Sequence, residues 1–433
     1  MPKSLPALPT QTHGGQNNQQ YITRQKRIER MKILHTSDWH LGRTLYSKKE
    51  RQEEHTAFLE WLLKTINEKS IDLLLIAGDI FDTASPSSKS QKMYYDFLVK
   101  VRTAGCENVI VVGGNHDSPS FINAPKDILA ALNVAVVGNA TDNIEDEIIV
   151  VKDNKGNPTV IVCGVPFLRE RDISRFAEGE SYSNRSKRIN NNIKKHYEEI
   201  SKLAENKKKE LGKEIPIIAT GHLSVAGGQR NEDDGVRETY IGNIEAVGSN
   251  IFPDTFEYVA LGHYHIPSKI KEHIRYCGSP IPMGFGEAKQ TKCVYVIDYT
   301  KEKNIETIEI PIFQKLESIV GDKKHIEKCL TELKKTGSSV WVEVIYKGDE
   351  IFTDFSAWTN EQIANSKIEV LKLQNRQHLN EVLTTNDTTD SLDELNAFDV
   401  FDKLLNKASI SDEQKEELKE SYKEIVDGLN IVE

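Results

Sequence analysis

Five short polar runs, each placed directly after an apolar stretch, constrain this chain more than any other feature. They are Ser37-Asp38-Trp39-His40, Gly78-Asp79-Ile80-Phe81-Asp82, Gly114-Asn115-His116-Asp117, Gly221-His222 and Gly262-His263-Tyr264-His265. Ile33-Leu34, Leu73-Leu74-Leu75-Ile76, Val109-Ile110-Val111-Val112, Ile217-Ile218 and Tyr258-Val259-Ala260-Leu261 precede them in the same order. Such runs read as buried strands, and strands that end in polar residues deliver them to one edge of a sheet. An α/β layered domain with its chemistry gathered at one rim is the expectation.

The delivered set mixes carboxylate, amide oxygen and imidazole: Asp38, His40, Asp79, Asn115, His222, His263 and His265. That mixture suits manganese, iron or zinc and is poor for calcium. Asp38 and His40 stand two residues apart past a strand end, so both can converge on one ion. Asp79 carries two oxygens and can bridge two ions. Two metals about 3.5–4 Å apart can clamp a phosphate and acidify a water, as in-line displacement at phosphorus requires. His116 is then left as a group that could protonate a leaving alkoxide or orient the phosphate, with Asp117 beside it as its expected partner. A single Gly-Asp or Gly-His is usually a turn; the weight lies in five runs in order. His35, inside the first strand, reads as a core or supporting histidine. His55, His196, His273, His325 and His378 lack such context and are expected to be solvated.

Together the runs resemble the signature of the calcineurin-like metallophosphoesterase superfamily: D-x-H, G-D, G-N-H-D/E, G-H and G-H-x-H. Within it, His35-Thr36-Ser37-Asp38-Trp39-His40-Leu41-Gly42, Gly114-Asn115-His116-Asp117-Ser118 and Ala260-Leu261-Gly262-His263-Tyr264-His265 are similar to the SbcD family. Those proteins are bacterial nuclease subunits related to archaeal and eukaryotic double-strand-break repair nucleases. Phe167-Leu168-Arg169 and Tyr276-Cys277-Gly278-Ser279-Pro280 extend the likeness, which runs from Met31 to about residue 300 and more loosely beyond. The resemblance implies a two-sheet sandwich flanked by helices. It implies one metal on Asp38, His40, Asp79 and His265 and a second on Asp79, Asn115, His222 and His263, with two Mn²⁺, or Mg²⁺ or another divalent ion, as cofactors. It implies 3′-to-5′ exonuclease action on duplex ends, endonuclease cutting of hairpins, and an SMC-like ATPase, SbcC, as partner to a nuclease dimer. Some members carry His where this chain has Asp82, so a second catalytic imidazole is not available there. Ser/Thr phosphatases of the same fold carry G-D-x-x-D-R-G and G-N-H-E, and neither occurs here.

Net charge is −10, which is awkward for a DNA enzyme until it is located. Residues 381–433 hold 15 acidic and 5 basic side chains, leaving 51 of each sign in residues 1–380. The acidity therefore belongs to a tail. Arg185, Lys187, Arg188, Lys194, Lys195, Lys207, Lys208 and Lys209 form basic clusters that read equally as a solvated helix face or as phosphate contacts. The chain has no run near the ~20 apolar residues of a membrane span. Five cysteines without a C-x-x-C pair and no signal peptide point to a reducing cytoplasm, and to a nucleoid-associated enzyme if it acts on DNA. The chain has no G-x-x-x-x-G-K-S/T loop, so nucleotide is expected only through a partner.

The organisation expected is a disordered extension over 1–30, with Met31 as the natural initiator or the leader dispensable, and a metallophosphoesterase domain over 31–310. A small α+β capping domain over 311–374, a linker over 375–391 and a helical partner-binding segment over 392–433 follow. Helices are expected at Glu53–Glu68, Ser90–Thr103, Lys323–Thr336 and Asn360–Asn365, and strands at Ser338–Tyr346, alternating Val340, Val342 and Val344 against Trp341, Glu343 and Ile345, and at Lys367–Leu373. In the tail, Leu395–Leu405 and Asp412–Leu429 read as two amphipathic helices, the second opened by a Ser411/Gln414 capping box. The reading is a Mn²⁺-dependent DNA phosphodiesterase acting on double-stranded and hairpin DNA. Its rivals are a phosphomonoesterase or small-molecule phosphodiesterase of the same fold, and a non-catalytic scaffold.

Overall fold

Alternation within the apolar strands decides which layers they hold together. The computed structural model describes residues 31–174, 181–229, 246–300, 302–348 and 352–376, with Lys415 and Lys419. Six strands form one sheet in the order Asn304–Glu309, Cys293–Asp298, Lys32–Thr36, Leu73–Ala77, Asn108–Val112 and Val134–Val137. A second six-stranded sheet runs Ser268–Lys271, Ile274–Tyr276, Tyr258–Gly262, Ile217–His222, Pro158–Cys163 and Ile148–Lys152. Ile33, Leu73, Leu75 and Ile110 face Val160, Val162, Ile218, Tyr258 and Ala260 between the sheets. Their chain neighbours Leu34, Leu74, Ile76, Val109 and Val111 face the other way. There they meet Phe58 and Leu62 of the helix Gln52–Lys69 and Tyr94, Phe97 and Leu98 of Ser88–Thr103. Both faces of the central strands are covered, which is why their sequence reads as unbroken aliphatic runs.

The second sheet is covered by Tyr182–Leu211, which lays Ile189, Ile193, Tyr197, Ile200 and Ala204 on Ile161, Ile217, Ala219, Val259 and Leu261. Spacings of three and four residues put that stripe on one helix face. Each large side chain buried there contributes about 1.5–3 kcal/mol. Arg185 and Arg188 converge on Glu170 at 2.6 and 2.9 Å, while Lys194, Lys207 and Lys208 pair with Glu198, Glu210 and Glu214. Five of the eight basic residues named in this segment are thus held by acidic neighbours, which supports the solvated-face reading.

Two histidines expected in solvent lie elsewhere. His55 is fully buried, because Glu54, His55, Phe58, Leu59 and Leu62 make up the inward face of its helix. His196 is half-buried, with Nε2 2.8 Å from the carboxylate of the fully buried Glu147. His35 is a core residue, bonded to Tyr258 Oη at 2.9 Å and the Leu261 carbonyl at 3.2 Å. All five cysteines are free thiols.

A three-stranded sheet, Lys315–Gly321, Val340–Tyr346 and Ile368–Asn375, follows the sandwich, with helices Lys323–Thr336 and Phe355–Ile363. Its first strand was not foreseen. The second helix begins five residues before the expected Asn360, because Phe355 and Thr359 form its buried edge, and the chain leaves it before Asn365 at φ 58°. Every residue of Val340–Tyr346 is buried, not alternate ones. Trp341 packs with Leu45, Phe285, Leu316 and Leu371, so the face opposite the helices is covered by the sandwich. Lys48 Nζ donates to the Leu371 carbonyl at 2.7 Å and Lys49 pairs with Glu369 at 2.6 Å across the same contact.

The sandwich and this sheet, to Ile345 and from Asp354 to Gln374, fall in one compact unit. A second unit comprises Tyr346–Thr353 with Asn375–Glu433, where Tyr346 meets the Phe352 ring at 5.3 Å and Asn375 Nδ2 donates to the Phe352 carbonyl at 3.4 Å. The 1–30 extension, nearly all of the linker and the two tail helices lie outside the described residues, apart from Lys415 and Lys419, which are helical. No helix among the described residues is long and apolar enough to cross a membrane.

Candidate metal centre

Strands Lys32–Thr36, Leu73–Ala77 and Asn108–Val112 run parallel, as do Ile217–His222 and Tyr258–Gly262, so their carboxyl ends bring all five polar runs together. The backbone ties them: Asp38 N–H donates to the Gly78 carbonyl at 3.0 Å, and His40 N–H to that of Asp79 at 3.0 Å. Asp79 Oδ1 accepts from His116 N–H at 2.8 Å, and Asp38 Oδ1 from His263 N–H at 2.9 Å. The glycines serve close approach. A Cβ on Gly78 would overlap the His222 ring, and one on Gly262 would overlap the Ala77 carbonyl. Asp38, His40, Asp79 and His263 themselves have φ of 53°, 47°, 49° and 101°. Each costs of order 1–3 kcal/mol, which the surrounding core must sustain.

All seven proposed ligands are brought into one site. His222 Nδ1 donates to the Ala77 carbonyl at 2.9 Å, which leaves Nε2 2.9 Å from Asn115 Oδ1 and 3.2 Å from Asp79 Oδ2. His263 Nδ1 lies 3.0 Å from the same Asn115 oxygen. On the other side of Asp79, His40 Nε2 is 3.6 Å from Asp79 Oδ2 and 3.1 Å from His265 Nε2. The groups Asp38/His40/His265, Asp38/Asp79/His222 and His40/Asp79/His116 each place three ligand atoms within 4.8 Å of one another. Electron pairs of carboxylate, amide and imidazole thus converge from two sides on one buried carboxylate, an arrangement that fits divalent cations and that neutral side chains alone satisfy poorly.

The charges respond to that crowding. Burial raises Asp38 to about 6 despite His222 beside it. Burial opposes ionisation of Asp79 too, yet His222 and His40 hold it well below the ordinary carboxylate range. His222 rises to about 9, with Asp79 outweighing burial. His263 is lowered to about 3 by burial and by His222.

Asp117 is not placed as its neighbour's partner. Its carboxylate accepts from the backbone N–H groups of Ile80, Phe81 and Gly114 at 3.1, 3.0 and 2.9 Å, clasping the second run to the third. His116 instead bonds through Nδ1 to the Asp82 carbonyl at 2.8 Å. Sequence reasoning missed Asp82 as a contributor. Its Oδ1 lies 3.3 Å from His40 Nδ1 and 3.0 Å from Arg43 Nη1, so it steers the His40 ring. The signal was its place in Gly78-Asp79-Ile80-Phe81-Asp82, three residues past Asp79.

A calcineurin-like phosphoesterase profile matches residues 31–267, and a second, described as a type 5 capsule protein repressor C-terminal domain, matches 312–409. The fold and site therefore define a metal-dependent phosphoesterase of the calcineurin-like class. The SbcD subunit of the nuclease SbcCD from Escherichia coli K12 is 34% identical over 402 residues, covering 90% of this chain and 97% of that protein. Its namesake from Rhodobacter capsulatus is 31% identical over 275 residues, 62% of this chain and 66% of its own. That of Bacillus subtilis is 29% identical over 272 residues, with the same two coverages, 62% and 66%. The chain belongs to the SbcD family.

Proposed function

We propose that this chain is the nuclease subunit of an SbcCD-like complex and cleaves DNA phosphodiesters with two Mn²⁺. The observation that carries the proposal is the convergence of seven ligands on both sides of Asp79. Asp38, His40, Asp79 and His265 would hold one ion, and Asp79, Asn115, His222 and His263 the other, with Asp79 common to both sets. When bound, the ions supply charge that draws electrons from the phosphate and make an attacking water acidic at neutral pH. The chain's own residues do the rest. His222, fixed by the Ala77 carbonyl, and His40, steered by Asp82, would turn their Nε2 atoms to the ions, the proton that Asp79 favours on His222 leaving as metal binds. His116, held by the Asp82 carbonyl, protonates the leaving 3′- or 5′-oxygen. Asp117 keeps the two loops in register.

On this reading the enzyme is a 3′-to-5′ duplex exonuclease and a hairpin endonuclease, and the small sheet beside the site is a capping domain over 311–374. The test is cutting of linear and hairpin duplexes by the purified chain with Mn²⁺, Mg²⁺ or chelator. Hydrolysis of p-nitrophenyl esters far exceeding DNA cutting would favour a phosphomonoesterase. Tail residues 392–433 are proposed to dock an SbcC-like ATPase, the nuclease forming a dimer within a heterotetramer in the cytoplasm. Truncation after Asn386 is expected to keep Mn²⁺-dependent cutting by the isolated subunit and to abolish co-purification with the ATPase. Retained co-purification would move the docking site elsewhere.

A further inference from the structure

His265 has two ring nitrogens with different company. Nε2 faces His40 Nε2 at 3.1 Å, while Nδ1 lies 3.8 Å from Oε1 of Glu287. Glu287 is fully buried. Its other oxygen, Oε2, accepts from the Met283 N–H at 3.0 Å and from the buried ammonium of Lys292. Oε1 has no hydrogen-bond partner among the described residues. A buried carboxylate oxygen left unpaired is costly, so a donor is expected to approach it. Lys292 meanwhile donates to the His265 carbonyl at 2.9 Å and to Ser279 Oγ at 3.1 Å, so the same ion pair grips the backbone of His265 and faces its ring. The turn Phe285–Glu287 is anchored in turn by Phe285, stacked on Tyr46 with centroids 5.4 Å apart.

We propose that Glu287 is a positioning residue that takes the Nδ1–H of His265 and so keeps the Nε2 lone pair turned toward the ion shared with His40. The inference rests on the two-ion reading above. A ring shift of about 1 Å brings Nδ1 into hydrogen-bond range. A carboxylate on the far nitrogen of a metal-binding imidazole fixes its tautomer and makes it a stronger ligand. In Glu287→Gln the amide oxygen must stay with Met283 N–H and Lys292. The NH₂ group then faces Nδ1 and demands an acceptor there, which selects the tautomer protonated on Nε2.

The test titrates metal-free protein with Mn²⁺ alone, reading free Mn²⁺ by its paramagnetic resonance signal, and records the thermal midpoint without metal. Wild type is expected to take up two ions. Glu287→Gln is expected to keep one with unchanged affinity and to bind the other about 10–100-fold more weakly, with the midpoint of the metal-free protein little changed. A purely structural ion pair would lower the midpoint and weaken both ions alike, which would overturn the proposal. So would two ions bound as in wild type. If the single variant fails to fold, Glu287→Gln with Lys292→Met removes both charges and leaves the amide facing His265. The same selective loss is expected, and wild-type binding of both ions by that variant would overturn the proposal. Fewer than two ions in wild type itself would overturn the two-ion reading and this role with it.

Discussion

The metal rim and the seat of the small sheet lie close together in the chain yet are built on opposite terms. At the rim, polar groups are buried, four backbones are held at positive φ, and carboxylates and imidazoles crowd within 4.8 Å of one another. Four residues past His40, the segment Thr44–Glu50 seats the small sheet through Leu45, Trp341, Phe285 and Leu371, and only its edges carry ion pairs. The rim stores strain that its ligands can offset; the seat stores apolar contact and needs no ligand. Damage to the rim should therefore cost chemistry, and damage to the seat should cost stability and the handling of long substrates.

The largest effect is expected at the residue both ligand sets share. Asp79→Ala should reduce cutting below ~1% of wild type with every divalent metal, because the proposed two-ion site then loses the carboxylate common to both ligand sets. A tenth of wild-type activity surviving would break the bridging assignment. His116→Gln should lower turnover by ~10²-fold while leaving bound metal unchanged by elemental analysis. Parallel loss of metal would make His116 a ligand, as its nearness to His40 and Asp79 also allows.

Trp341→Ala, at the seat, should cost about 3 kcal/mol by denaturant unfolding, with Mn²⁺ binding and p-nitrophenyl ester hydrolysis retained and duplex cutting reduced. Lost Mn²⁺ binding would erase the distinction between the two regions. The smallest effect concerns His55, whose pKa is lowered to about 3 by burial and by Arg51. Its unfolded form takes up a proton near pH 6.5 while the folded form stays neutral, so its penalty is absent above that pH and grows as pH falls. In metal-free protein, His55→Leu should remove about 2 kcal/mol of acid destabilisation between pH 7.5 and 5. An unchanged pH slope would contradict the burial of a neutral ring.

Legibility in the sequence followed the length scale of the interaction. The helix Lys323–Thr336 and the strands before each polar run could be read because period and capping are local. His55 misled because it lies on the inward face of its helix, and Val340–Tyr346 because both of its faces are covered by segments far away in the chain. Asp117 looked like a partner for the residue beside it, but its carboxylate is used by backbone amides more than thirty positions earlier as well as by Gly114.

By itself the sequence determined which residue types reach the rim, because a strand buried on both faces must be aliphatic and must end where polar residues begin. Only the tertiary structure decided which nitrogen of each histidine is turned away from the site and which toward it. The Ala77 carbonyl occupies Nδ1 of His222, the Asp82 carbonyl occupies Nδ1 of His116, and Glu287 stands behind His265, each supplied by a segment other than the histidine's own. Tautomer and aim are set by the group on the far side of the ring, and that group is chosen by packing between segments, not by adjacency along the chain.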